Sequence, residues 1–206
     1  LHVAGTEHLY GIPEHASAMS LKPTVTSGKG DDGSPSRYSE PYRLYTLDVF
    51  EYELDSPAAL YGTIPVMVGH RAGRTAGVFW FNPTETFVDV EKGGEGKFAR
   101  WISEGGALDV VMMPGPTPGA VFRQYADVTG KPELPPMFSL GFHQCRWNYR
   151  DEQDVLTVDA GFEDLDIPYD VIWLDIEHTD GKRYFTWDKA LFPDPKRMID
   201  KVVDHG

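Results

Sequence analysis

The sequence predicts a β-sandwich followed by the first two βα units of a (β/α)8 barrel. Three observations carry that expectation. Up to about residue 113, short apolar or alternating runs recur between turn-rich segments, and no helical period is sustained. After Pro114 the grammar changes to helices with three- and four-residue apolar steps that alternate with short apolar strands. The run Val171-Ile172-Trp173-Leu174 is continuously apolar, as in a parallel sheet buried on both faces. A pair of βα units neither closes a barrel nor covers its own sheet, so the barrel would be broken off after the second.

Composition narrows the function classes. The 206 residues are 41% hydrophobic, 25% charged and 13% aromatic, which suits a globular chain and argues against intrinsic disorder. The formal net charge of −13, with no basic block to relieve it, argues against nucleic acid or an anionic membrane as the main partner. No apolar run approaches the roughly 20 residues of a membrane span. The single cysteine, Cys145, rules out an internal disulfide framework without fixing the compartment. The chain opens at Leu1 without an initiator methionine and stops at Gly206 just after an amphipathic helix, so it is expected to be a piece of something longer.

The elements follow in order. Strands are expected at 42–47, 60–70, 77–81, 86–90 and 108–113, forming a sandwich over 1–113. The stretches 27–36 (SGKGDDGSPS) and 91–96 (EKGGEG) are polar and Gly-rich and read as mobile loops. Residues 114–136 read as a helix and a linker. The helix puts Ala120, Val121, Tyr125 and Val128 on one face, with prolines at its start and Gly130 at its end. Residues 137–206 read as the start of the barrel: strand 138–143, helix 151–165, strand 169–176, helix 194–205. The first of these helices carries Val155, Val158, Phe162 and Leu165 behind an acidic first turn. The second has Asp194 as N-cap, Pro195 at N1, and Met198, Ile199, Val202 and Val203 facing inward.

In parallel βα folds, functional groups gather at the C-terminal ends of the strands, and both ends are crowded here. One strand runs into Gln144-Cys145-Arg146-Trp147-Asn148; the other ends Trp173-Leu174-Asp175-Ile176-Glu177-His178. Acids beside tryptophans suit a sugar, since carboxylates accept hydroxyl hydrogen bonds and indoles cover apolar C–H faces. Each residue also has a structural reading. Asp175 could cap a turn at the strand end, and Glu177 reads first as the ion-pair partner of a base such as Arg146. Asp175 and Glu177 would share a face if the strand continued. Trp173 reads as core, Trp147 equally as core or site, and His143 as a satisfied core histidine. Cys145 lacks the His/Asn constellation of a nucleophile. An Asp-x-Glu-His metal site lacks a convincing third ligand, so no metal or other cofactor is expected.

The segments WLDIEH (173–178) and RWNYRD (146–151) resemble the α-glucosidases of glycoside hydrolase family 31, and within it the branch of endoplasmic-reticulum glucosidase II α subunits. HLYGIPEH, PYRLYTLDVFEYEL, GVFWFNPTETFVDV, VFRQY and GKRYFTW extend the resemblance over most of the chain. It implies a galactose-mutarotase-like β-sandwich before a (β/α)8 catalytic barrel, and removal of terminal α-glucose with retention by a carboxylate nucleophile and a carboxylic general acid. Carried over residue by residue, it implies that Asp175 binds hydroxyls of the non-reducing glucose. Ile176 lies beside it in the pocket wall, and Trp147 is the aromatic after the first strand. A sandwich loop reaching over the pocket brings Asp48 and Phe50. It further implies an enzyme of the endoplasmic-reticulum lumen that trims α-1,3-linked glucose from glucosylated high-mannose N-glycans and pairs with a glucosidase II β subunit.

The family's nucleophile lies in a WNDMNEP-like segment on a later strand, with the acid further on, and neither segment occurs in these residues. The chain is therefore expected to hold no catalytic carboxylate, to be inactive alone, and to work with the remaining C-terminal catalytic part of the same enzyme. A family-31 maltase or α-xylosidase, or a non-catalytic carbohydrate-binding sandwich, are the other readings the residues leave open.

Overall fold

The computed structural model describes residues 5–6, 8–26, 39–94 and 96–204. The loop expected over 27–36 lies outside the described residues, as does Gly206, expected as a helix C′ residue. The chain divides into two compact units, Leu1–Lys131 and Pro132–Gly206. The break falls in the KPELPP stretch, where prolines remove backbone donors and few contacts can form.

The first unit is a sandwich of two sheets. Strands β1 (His8–Gly11), β4 (Val66–Arg71), β5 (Arg74–Trp80) and β8 (Val110–Met113) make one antiparallel sheet in the order β1-β4-β5-β8. In the other, β6 (Thr86–Gly93) pairs antiparallel with β7 (Gly96–Ser103) and with β3 (Tyr42–Leu44), and parallel with the short β2 (Val25–Thr26). Alternation then sets the core. Leu9 and Met67 of the first sheet meet Tyr42, Leu44, Val88, Val90 and Ala99 of the second. The opposite face of the first sheet presents Val66, Phe79 and Met113 to Val121 on α1 (Pro118–Thr129). That helix therefore belongs to the sandwich unit and is not a free-standing connector. Thr117 caps it by accepting from the Ala120 amide (3.2 Å), and Tyr125 packs edge-on against Phe79. Val128, expected inward, is exposed.

Two expectations fail here for identifiable reasons. Of the stretch expected as a mobile loop over 91–96, the described residues do not form one: Glu91–Gly93 complete β6, and the ladder continues through Lys92↔Lys97 to Gly93↔Gly96, while Glu95 lies outside the described residues. Backbone pairing needs no apolar side chain, so polarity alone misjudged the segment. The strand expected over 60–70 starts only at Val66. Residues before it are tied as a loop, with Leu47 N–H to Leu60 O (2.8 Å) and Gly62 N–H to the Glu14 carboxylate (2.8 Å).

In the second unit, β9 (His143–Cys145) and β10 (Val171–Trp173) pair in parallel with Cys145 opposite Trp173. The helix α2 (Glu152–Asp164) lies between them in sequence, and α3 (Pro195–Val203) follows. The first strand begins five residues later than expected, because 137–140 forms a 3₁₀ turn. Ile172 and Leu174 pack with Tyr149, Val155, Leu156, Val158, Phe192, Met198 and Val202. Of the inward residues expected on α3, Met198 and Val202 pack, whereas Ile199 and Val203 are exposed. Asp151 and Asp194 cap their helices at the Asp154 and Arg197 amides (2.8 and 3.1 Å). The buried Glu152 ties the two helix starts together: it accepts from Arg197 Nη2 (2.6 Å) and from the Asp194 amide (3.1 Å). Tyr169 donates to the buried Asp159 of α2. Burial, and then this carboxylate, raise the phenol well above its usual pKa.

Two measurements test this packing. A Cβ at Gly77 would stand 2.7 Å from Val121 Cγ1 and 2.9 Å from Met113 Cε, so this glycine lets α1 settle on β5. Gly77→Ala is expected to destabilise the sandwich by about 1–3 kcal/mol in chemical denaturation, as overpacking does, and an unchanged midpoint would contradict it. His15 packs edge-on against Tyr42, donates from Nε2 to Arg43 O (3.1 Å), and has its pKa lowered, chiefly by burial. The unfolded chain then binds a proton more readily than the folded one. Stability from this group is present above about pH 6.5 and lost as pH falls toward the depressed folded value. Wild type should lose more stability between about pH 7.5 and 5 than His15→Gln; parallel pH profiles would contradict this.

Candidate functional site

Parallel pairing sets the geometry of the candidate site in the second unit. With Cys145 opposite Trp173, the chain leaves both strands at the same edge of the sheet. After Cys145 it turns through Arg146-Trp147-Asn148, and Asn148 takes a left-handed backbone (φ 75°), a conformation asparagine tolerates better than most residues. Tyr149 then returns to the core, its hydroxyl accepting from Gln144 Nε2 (3.0 Å). The turn is thus anchored on both sides, and Trp147 stands at its apex with 62% of its surface exposed.

The second strand ends at Trp173, and Asp175 caps a 3₁₀ turn over Ile176–His178, its Oδ1 accepting from the Ile176 amide (2.7 Å). Asp175 itself is exposed. The turn is fastened below: Thr179 is buried and donates from Oγ1 to Ile176 O (2.6 Å), and His178 donates from Nδ1 to Asp175 O (2.6 Å) while its ring meets Trp187 at 4.9 Å. Because the strand gives way to this turn, Asp175 and Glu177 do not lie on one strand face. Glu177 does not take Arg146 as its partner either. Its Oε1 accepts from Trp147 Nε1 (2.6 Å), bridging the two strand ends. The other oxygen, Oε2, is buried with no hydrogen-bond partner among the described residues.

One further reading changes. Trp173, expected in the core, is 53% exposed: Ile172 and Leu174 point to the helices, and Trp173 occupies the opposite face with Cys145. It donates to His143 Nδ1 (2.8 Å), and His143 Nε2 donates to Ser139 O (3.0 Å), which fixes the Nε2–H tautomer. Cys145 is an exposed free thiol. No grouping of His, Cys, Asp and Glu among the described residues could hold a metal ion.

The other two candidates lie in the first unit, on the loop between β3 and β4. Asp48 is exposed and accepts from the Tyr61 hydroxyl (2.6 Å). Phe50 is 78% exposed. The loop base is stitched by Leu47 to Leu60 and by the Thr46–Thr63 hydroxyl pair (2.9 Å), so Phe50 is held out from a tied frame. A separate groove of about 920 Å³ on this unit, walled by Tyr45, Ile64, Phe81 and Tyr125, includes none of the candidate residues. Its one carboxylate, Glu85, is committed to Arg43 (2.5 Å).

Comparison with known proteins supplies the family. Residues 1–89 match the glycosyl hydrolase 31 N-terminal galactose mutarotase-like domain, and residues 132–206 match the glycosyl hydrolases family 31 TIM-barrel domain. Neutral alpha-glucosidase AB of Dictyostelium discoideum is 55% identical over 198 residues, 94% of this chain and 20% of its own length. The crystal structure of the ER glucosidase II heterodimeric complex, catalytic subunit with the binding domain of the regulatory subunit, matches with TM-score 0.83 and 49% identity over 98% of this chain. The alpha3-Glc2-bound glucosidase II alpha subunit matches with TM-score 0.82 and 48% identity over the same share. The chain spans about a fifth of the length of these proteins. With its galactose mutarotase-like domain and the start of its TIM-barrel domain both present, the chain belongs to glycosyl hydrolase family 31.

Proposed function

We propose that this chain is the substrate-binding part of a retaining exo-α-glucosidase that removes terminal α-1,3-linked glucose from N-glycans in the endoplasmic-reticulum lumen. The observation that carries the reading is the pair of strand ends. An exposed carboxylate, Asp175, closes β10, and an exposed indole, Trp147, follows β9, with Glu177 joining the two ends. A carboxylate accepts two hydroxyl hydrogen bonds, and an indole face covers the apolar C–H surface of a pyranose. The similarity to an alpha-subunit structure holding alpha3-Glc2 supports the linkage. Similarity to the catalytic subunit of a heterodimer supports a β-subunit partner.

In this reading Asp175 binds glucose hydroxyls, Ile176 supplies apolar wall, and Trp147 stacks on the sugar. Asp48 and Phe50 contribute substrate contacts from the sandwich loop. Retaining hydrolysis needs a nucleophile and a general acid about 5 Å apart. In this reading both are supplied by the C-terminal catalytic part of the enzyme, as the family resemblance implies, and not by Asp175 or Glu177. Asp175 caps the turn with one oxygen, and in this reading it holds the substrate while the chemistry is done elsewhere. The two units here are the family's galactose mutarotase-like domain and, we propose, the first two βα units of its barrel.

In the complete enzyme, Asp175→Ala is expected to lower kcat/KM for an aryl α-glucoside by about 100-fold or more, with the melting temperature near wild type. Near-normal turnover would overturn the role of Asp175. Trp147→Ala and Phe50→Ala should each cost about 1–3 kcal/mol of transition-state binding. The enzyme should also hydrolyse an α-1,3-linked glucose disaccharide in preference to the α-1,4-linked one and to an α-xyloside. The opposite preference would assign it to a different specificity within the family.

A further inference from the structure

We propose that Glu177 is a positioning residue: its carboxylate holds the Trp147 indole in the orientation that receives the sugar. The inference rests on the reading of Trp147 as a substrate contact. A tryptophan at the apex of a turn, 62% exposed, has little packing to fix its ring, since most of its surface meets no protein. Its indole N–H is the one polar handle by which the ring plane can be set. That handle is spent on Glu177 Oε1 at 2.6 Å, a short charge-assisted hydrogen bond.

Glu177 is suited to the task because it does not move freely. It lies in the Ile176–His178 turn, which is closed by the Asp175 cap, by Thr179 onto Ile176 O, and by the Asp188 amide onto His178 O (2.8 Å). Its second oxygen is buried without a hydrogen-bond partner among the described residues. The Trp147 N–H is thus the hydrogen-bond donor that the described residues give this carboxylate, and a carboxylate so placed gains from keeping it. The bond couples the loop after one strand to the loop after the next. The same short segment then supplies both the acid that would hold the sugar, Asp175, and the group that orients the ring, Glu177.

A double-mutant cycle in the complete enzyme tests this, with kcat/KM for an aryl α-glucoside as readout. Glu177→Ala is expected to lower kcat/KM about 10-fold, mainly through KM, while Glu177→Gln, which keeps an oxygen to face Nε1, stays within about threefold of wild type. Adding Glu177→Ala to Trp147→Ala should cost no more than about threefold beyond Trp147→Ala alone, because the group to be positioned is gone. A merely structural Glu177 would give losses that multiply, and that result overturns the proposal. So do wild-type kinetics for Glu177→Ala, or Glu177→Gln as damaging as Glu177→Ala. Should Glu177→Ala fail to fold, Glu177→Asp, which withdraws the carboxylate by one methylene, takes its place in the cycle with the same expectations. Wild-type kcat/KM for Trp147→Ala would instead refute the substrate role of Trp147 itself, a failure separate from the others.

Discussion

The candidate site depends on one constraint, the parallel pairing of β9 with β10. Parallel strands release their following loops at a common edge, and the register Cys145↔Trp173 decides which residues meet there. From that register Trp147 and Asp175 both fall two residues past the paired ends, and Glu177 two further on. A slip of one residue would exchange the faces of every side chain on the strand, turning Ile172 and Leu174 away from the helices and Trp173 into them.

That register is held by the packing around it. Ile172 and Leu174 are gripped by α2 and α3, whose starts are joined through Glu152, Arg197 and the Asp194 amide. Tyr169 ties the approach to β10 to the buried Asp159 on α2. On the other strand, Tyr149 and Gln144 return the chain to the core immediately after Trp147. The exposed side chains are therefore presented by short segments fixed at both ends, the arrangement that lets a polar site keep its geometry without burial. In the sandwich the same economy recurs on a loop: Leu47, Thr46 and Tyr61 fasten the segment that carries Asp48 and Phe50.

Much of this was legible in the sequence. The Pro-rich stretch before Pro136, the caps Asp151 and Asp194, and the apolar steps Val155, Val158 and Phe162 of α2 come directly from local chemistry, and they survive folding because caps and periodicity are local; Leu165, the next step, falls past the helix end and is exposed. Register and partner choice are not local. Glu177 looked like the partner of Arg146 because opposite charges at a strand end suggest an ion pair; the turn at Ile176 instead aims it at an indole N–H, which carries no charge to read. Trp173 looked like core because an apolar run hides which of its faces meets the helices. The pairing of Glu91–Gly93 with the strand from Gly96 on reads as a loop in the sequence because ladder hydrogen bonds leave no trace in side-chain polarity. The candidate residues Asp48, Phe50 and Ile176 came only from resemblance to the family, since nothing in their spacing sets them apart.

The central claim is that Asp175 binds the sugar and does not perform the chemistry. Calorimetric titration of the complete enzyme and its Asp175→Ala variant with a glucose-shaped iminosugar separates the two most directly, because binding is read without turnover. The account predicts that the variant loses at least about 100-fold in affinity, in step with its loss of kcat/KM. Wild-type affinity in a variant that no longer turns over substrate would contradict it.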